Sequence, residues 1–126
     1  MKIANALSAF LLGVWSTAPA QEGSAPPVAC NLKAISAHER PRYNDLMKRL
    51  RGSVRGRSAL NDGYVYTLVG RAITLPQVAE WMSLERRCCP FLTLQVSAAG
   101  TQSDWLLTLT GPTGTKALLE MEFPAH

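Results

Sequence analysis

The stretch ITLPQVAEWMSLERRCCPF, residues 73–91, decides how the chain folds. Thr74 and Gln77 stand in the T-x-x-Q pattern of a capping box, with Ile73 and Val78 at the two positions of a hydrophobic staple, so a helix starts there. Pro76 falls in the first turn, where its missing N–H costs nothing. At the other end Pro90 disfavours helical geometry at Cys89, which stops the helix at about the cysteines. With about 100° per residue and Val78 at zero, Trp81, Met82, Cys88 and Cys89 lie within roughly 80° of it on either side. An apolar face this wide packs on a sheet. Glu85 sits near its middle.

Working outward, each neighbouring segment supplies part of that sheet. In Phe91–Ser97, Leu92, Leu94 and Val96 share one face, as do Trp105, Leu107 and Leu109 in Trp105–Thr110. Residues 98–104, with Gly100 among them, join the two as a hairpin. Tyr64–Leu68 alternates β-branched and aromatic residues and reads as a strand. A first helix opens at the Ser36-x-x-Glu39 capping box or at Pro41, runs with Tyr43, Leu46, Met47 and Leu50 on one face, and ends at Gly52. Gly111-Pro112 breaks the last strand, and Lys116–Met121 forms a short closing helix. The order is helix, strand, helix, strand, strand, helix, with Asn31–Ile35 a candidate further strand. The class is therefore α+β, a small antiparallel sheet of three to four strands with helices on one face.

The chain has 126 residues, 47% hydrophobic and 17% charged, which suits one folded domain and excludes a disordered one. Its first twenty residues read as a signal peptide: Lys2, an uncharged apolar run Ile3–Trp15, and Ala18-Pro19-Ala20 for cleavage. An uncut N-terminal anchor is the alternative. Residues 21–29 form a flexible lead-in and 30–126 the domain, expected in the periplasm or secreted. No later segment is long enough to span a membrane. Removing residues 1–20 takes one lysine and no acid, so the net charge falls from +4 to +3, 12 basic against 9 acidic residues. Much of the excess lies in KRLRGSVRGR, residues 48–57. No aromatic residues interleave these cations for base stacking, so a solvated helix end fits better than nucleic-acid binding.

The thiols are the chemical feature. A thioredoxin-type nucleophile uses C-x-x-C at a helix N-terminus, whereas Cys88 and Cys89 end a helix, where the backbone carbonyls disfavour thiolate. A cysteine hydrolase needs a histidine base, and the mature chain offers only His38 and the terminal His126. Four spaced ligands for structural zinc are missing. A soft ion such as Hg(II), Cu(I) or As(III) needs fewer donors, and thiolates select it. Cys88 and Cys89 are then candidate metal donors, Cys30 a third, with Glu85 and Arg86 behind them. Three further arrangements stand beside this one: a disulfide from Cys30 to either cysteine, a vicinal Cys88–Cys89 disulfide, and cysteines that merely pack. Glu85, one turn before the pair, is either a proton carrier in the same pocket or half of an ion pair with a residue such as Arg71. TGPTGTK, residues 110–116, lacks the glycine spacing of a phosphate loop and reads as a turn.

ERRCCPFLTLQV followed by WLLTLTGPTGTKALL resembles a family of small bacterial proteins with E-R-x-C-C-P-F, an alternating strand and a second strand ending L-T-G-P-x-G. The similarity runs from Cys30 to about Phe123, with Glu85, Cys88, Cys89, Pro90 and Phe91 matching the motif. The resemblance implies a thiol-centred role. Some members occur in mercury-resistance settings, which leans the expected ligand toward heavy metals. The sequence expectation is an exported protein that binds a soft metal or metalloid, or senses thiol redox state. Its rival is a non-catalytic interaction domain with an unknown protein partner. Sealed thiols favour the rival.

Overall fold

A computed structural model of the chain describes residues 28–99 and 101–125, together with Gly13. The rest of the expected signal peptide and lead-in, up to Pro27, and the terminal His126 lie outside those residues. The chain runs through a 3-10 turn (Leu32–Ala34), α1 (Arg40–Ser53), β1 (Val54–Leu60), β2 (Gly63–Leu68), α2 (Leu75–Cys88), β3 (Thr93–Ala98), β4 (Trp105–Thr110) and α3 (Thr115–Glu122). The strands form one antiparallel sheet in the order β1-β2-β4-β3. The α+β expectation holds, with four strands. No helix among the described residues is long and apolar enough to cross a membrane.

Helix α2 forms as its start signals require. The Thr74 hydroxyl accepts from the Gln77 backbone N–H at 3.3 Å and the Gln77 side chain accepts from the Thr74 N–H at 3.0 Å. Ile73 and Val78, the staple pair, are both buried. Its inner face carries Val78, Trp81, Leu84, Glu85 and Cys88. Trp81 is fully buried and meets Phe123 edge-on, with ring centroids 6.3 Å apart. Across from it lie Tyr66 and Leu68 of β2 and Leu107 and Leu109 of β4, all with no exposed surface. Gly114, with φ 99°, occupies the left-handed region as it turns the chain into α3, a conformation only glycine adopts freely.

Two boundaries differ from the sequence reading. Asn31–Ile35 is not a strand: the Asn31 side chain accepts from Lys33 N–H and winds Leu32–Ala34 into a 3-10 turn. The fourth strand is instead β1, which begins within the basic run read as a helix end and continues to Leu60. It lies at the sheet edge, and from Arg55 to Leu60 every residue is exposed. A strand that buries neither face has no reason to alternate apolar and polar residues, so its period was invisible. The Ser36–Glu39 box does form, but it caps a turn in front of the helix; α1 itself begins at Arg40, with Pro41 in its first turn.

The N-terminal turn is fastened to α2 by charge. Arg87 donates to both Glu39 carboxylate oxygens at 2.8 and 2.9 Å and to the Ala34 carbonyl at 2.9 Å. The guanidinium and the Ser36 donors hold the Glu39 carboxyl down at about 2, against 4.5 for a free glutamate. A lowered acid pKa means that the unfolded chain takes up the proton first. The stabilisation is complete above pH 4.5 and disappears as the pH falls through 2. The stability gap between the parent and Glu39→Gln, measured by urea unfolding, should be constant from pH 5 to 7 and close toward pH 2. Thr74→Ala should cost about 1 kcal/mol in the same assay, the usual loss for a helix N-cap.

Candidate functional site

Four segments converge on the last turn of α2. Glu85 and Cys88 lie on its buried face, and Cys89 follows as the C-cap, its N–H donating to the Glu85 carbonyl at 2.8 Å. The lead-in brings Cys30, held by an Asn31 N–H that donates to the Cys88 carbonyl at 2.7 Å. Tyr43 arrives from α1 and Glu122 from the end of α3. Cys30 and Cys89 form a disulfide, and Cys88 is a free, buried thiol. The open alternatives thus resolve to the pairing across 59 residues, not to the vicinal one.

Glu85 is the pivot of this cluster. It has no exposed surface and no basic partner among the described residues. The expected pairing with Arg71 does not occur; Arg71 is exposed. The Tyr43 hydroxyl donates to Glu85 Oε2 at 2.8 Å, and Cys89 Sγ lies 3.1 Å from Oε1. Cys88 Sγ is 3.7 Å from Oε2 and 3.4 Å from Cys89 Sγ. Glu122 Oε1 is 3.7 Å from Cys30 Sγ, while its buried Oε2 has no hydrogen-bond partner among the described residues.

Burial sets the proton affinities. Loss of water raises the Glu85 pKa, and the Tyr43 hydrogen bond only partly opposes it. Glu122 is pushed up to about 7 by burial and then by the Glu85 charge, with Arg51 pulling the other way. The Cys88 thiol is pushed up to about 11 by burial and by Glu85. A thiol this reluctant to ionise is not an activated nucleophile.

The Sγ atoms of Cys30 and Cys89 and one carboxylate oxygen each from Glu85 and Glu122 all lie within 4.8 Å of one another. Cys30, Cys88, Cys89 and Glu85 are thus brought together as the sequence proposes. Arg86 is not among them: it is exposed at the helix end. His38 is exposed in the turn before α1. Tyr43 and Glu122 were missed. Tyr43 reads as one more member of an apolar helical stripe, and Glu122 falls one residue past the expected end of the last helix. Only the packing of α1 and α3 around α2 shows that both point at Glu85. Access is uneven: Cys88, Cys89 and Glu85 are sealed, whereas Cys30 and Glu122 are half-buried and form the outer side of the cluster.

No protein-family model, no curated protein and no solved structure matches the chain.

The Tyr43–Glu85 bond has a measurable consequence. Glu85→Gln keeps an acceptor for the tyrosine hydroxyl and should cost less than about 1 kcal/mol, whereas Glu85→Ala strands that hydroxyl and opens a cavity, for a loss of about 2 to 4 kcal/mol. Urea unfolding of the two variants in non-reducing buffer checks the difference.

Proposed function

We propose that this is an exported thiol protein that takes up one soft metal or metalloid ion, of the Hg(II), Cu(I) or As(III) class, when its Cys30–Cys89 disulfide is reduced. One observation carries the reading: two sulfurs and two carboxylates from three separate segments meet within 4.8 Å, with a third sulfur, Cys88, 3.4 Å from Cys89. Thiolate selects soft ions, and the motif's resemblance leans the same way. The disulfide itself fits the oxidising compartment that the N-terminal stretch suggests.

In this reading a reducing dithiol gives two electrons and two protons to the disulfide, freeing two thiols and becoming a disulfide itself. The entering ion then displaces protons from Cys30 and Cys89, with Cys88 as the third donor. Glu85 and Glu122 are placed to receive those protons. Metal uptake is thereby tied to redox state. The ion also replaces the cross-link it supplants, since it joins the same two segments.

A second reading rests on the complete burial of Cys88 and Cys89. Here the disulfide only staples the lead-in to α2 within a non-catalytic interaction domain, and the Cys88 thiol is core packing. Both readings expect reduction to destabilise the fold, by about 4 kcal/mol for a 59-residue loop on the chain-entropy model. They part at the next step. Native mass spectrometry and thermal unfolding should be run on phosphine-reduced protein with and without one equivalent of Hg(II). The metal reading expects one bound ion, an unfolding free energy at least about 2.7 kcal/mol higher at a hundredfold excess over Kd, and loss of both in Cys30→Ser/Cys89→Ser. No uptake, or uptake that the double variant retains, leaves the staple as the account.

A further inference from the structure

The buried sulfurs and carboxylates are not the only unexplained chemistry. At the sheet edge, β1 follows directly on the end of α1 and is exposed from Arg55 onward. Strand β1 pairs only with β2, and Val54, Arg57 and Ala59 lie opposite Leu68, Tyr66 and Tyr64, the β2 residues that face the core. The helices do not extend over β1. A cleft of about 290 Å³ results, with Val54, Tyr66 and Phe123 as its apolar walls.

Three arginines, Arg51, Arg55 and Arg57, also line this cleft, and among the described residues no acidic side chain does, although Asp104 ion-pairs with Arg55 from outside it. Each is held in place. The Arg51 Nε–H donates to the Glu122 carbonyl at 2.6 Å. The Arg57 guanidinium lies over the Tyr64 ring, with 4.6 Å from its carbon to the ring centroid. Arg55 is the extra residue of a β-bulge, between the pairs Val54↔Leu68 and Gly56↔Thr67, and it meets Asp104 at 3.1 Å. Bulges at sheet edges re-aim side chains next to sites. The wall also holds a buried Tyr66 hydroxyl with no hydrogen-bond partner among the described residues.

An apolar slot with a cationic rim has a defined complement. We propose that this cleft binds a small amphiphilic carboxylate, its apolar body against Val54, Tyr66 and Phe123 and its head group on Arg55 and Arg57. The volume is at the small end of ligand pockets, which begin at roughly 300 Å³, so the body is a short chain or a single ring and not a full lipid. Guanidinium is suited to the head group because its fork matches a carboxylate's two oxygens. The site is separate from the thiol cluster and does not depend on the metal reading.

Octanoate is the probe, with octanol as its uncharged counterpart and inorganic phosphate as charge without an apolar body. The purified full-length chain is titrated with each by calorimetry and by heteronuclear NMR. Octanoate should bind and shift the backbone amides of residues 54–57, Phe123 and Ala125, with octanol and phosphate each at least about tenfold weaker. Arg55→Gln/Arg57→Gln should weaken octanoate by about tenfold or more. Lys33→Gln removes an exposed charge on the N-terminal turn and should leave affinity unchanged. Equal binding of octanol, equal binding of phosphate at the same amides, shifts confined to other residues, or an unaffected arginine double variant would each overturn the proposal.

Discussion

Glu85 holds a carboxyl group away from water with no salt bridge among the described residues and only the charge of Arg51 to offset it in part. Such a group is tolerated only if its oxygens are engaged and its charge is discouraged. Tyr43 engages one oxygen at 2.8 Å, Cys89 sulfur lies 3.1 Å from the other, and burial raises the acid's pKa. To bring those partners in, α1 must lie against α2, the chain must turn at Pro90, and the lead-in must fold back to deliver Cys30. The interior of the helical layer is organised around this one polar residue.

The same constraint explains why the surrounding groups are unusual. A second carboxyl, Glu122, approaches from α3, and burial together with the Glu85 charge raises its proton affinity. Cys88, between Glu85 and the disulfide, stays protonated for the same reason. With the Cys88 thiol protonated and the proton affinities of both acids raised, burial holds the charge of the cluster down.

The helical layer also leaves a margin. Three helices cover β2, β4 and the inner part of the sheet, but β1 lies outside them. Its basic residues suit an edge strand, since charge there discourages pairing with another chain. They also give the uncovered groove a positive rim. Arg51 connects the two regions: it closes one side of the groove while bonding the backbone of Glu122, which belongs to the acid cluster.

Local rules determined much of this architecture from the sequence alone. The capping box and staple at Thr74, the stop at Pro90 and the period-two pattern of Trp105–Thr110 act within a few residues, so α2 and β4 are legible without a fold. So is the odd position of Glu85 on an apolar face. Strand β1 escaped because an edge strand exposed on both faces carries no burial pattern. Its one local sign is Asn61-Asp62 between Leu60 and Gly63, a two-residue connection of paired strands. What only the tertiary structure decided is which groups meet: Tyr43 as Glu85's partner where Arg71 was a candidate, Cys89 as the mate of Cys30, Glu122 as the second acid. These are contacts over 37 to 92 residues of chain, set by how three helices pack on one sheet face, and side-chain spacing within a helix does not encode them.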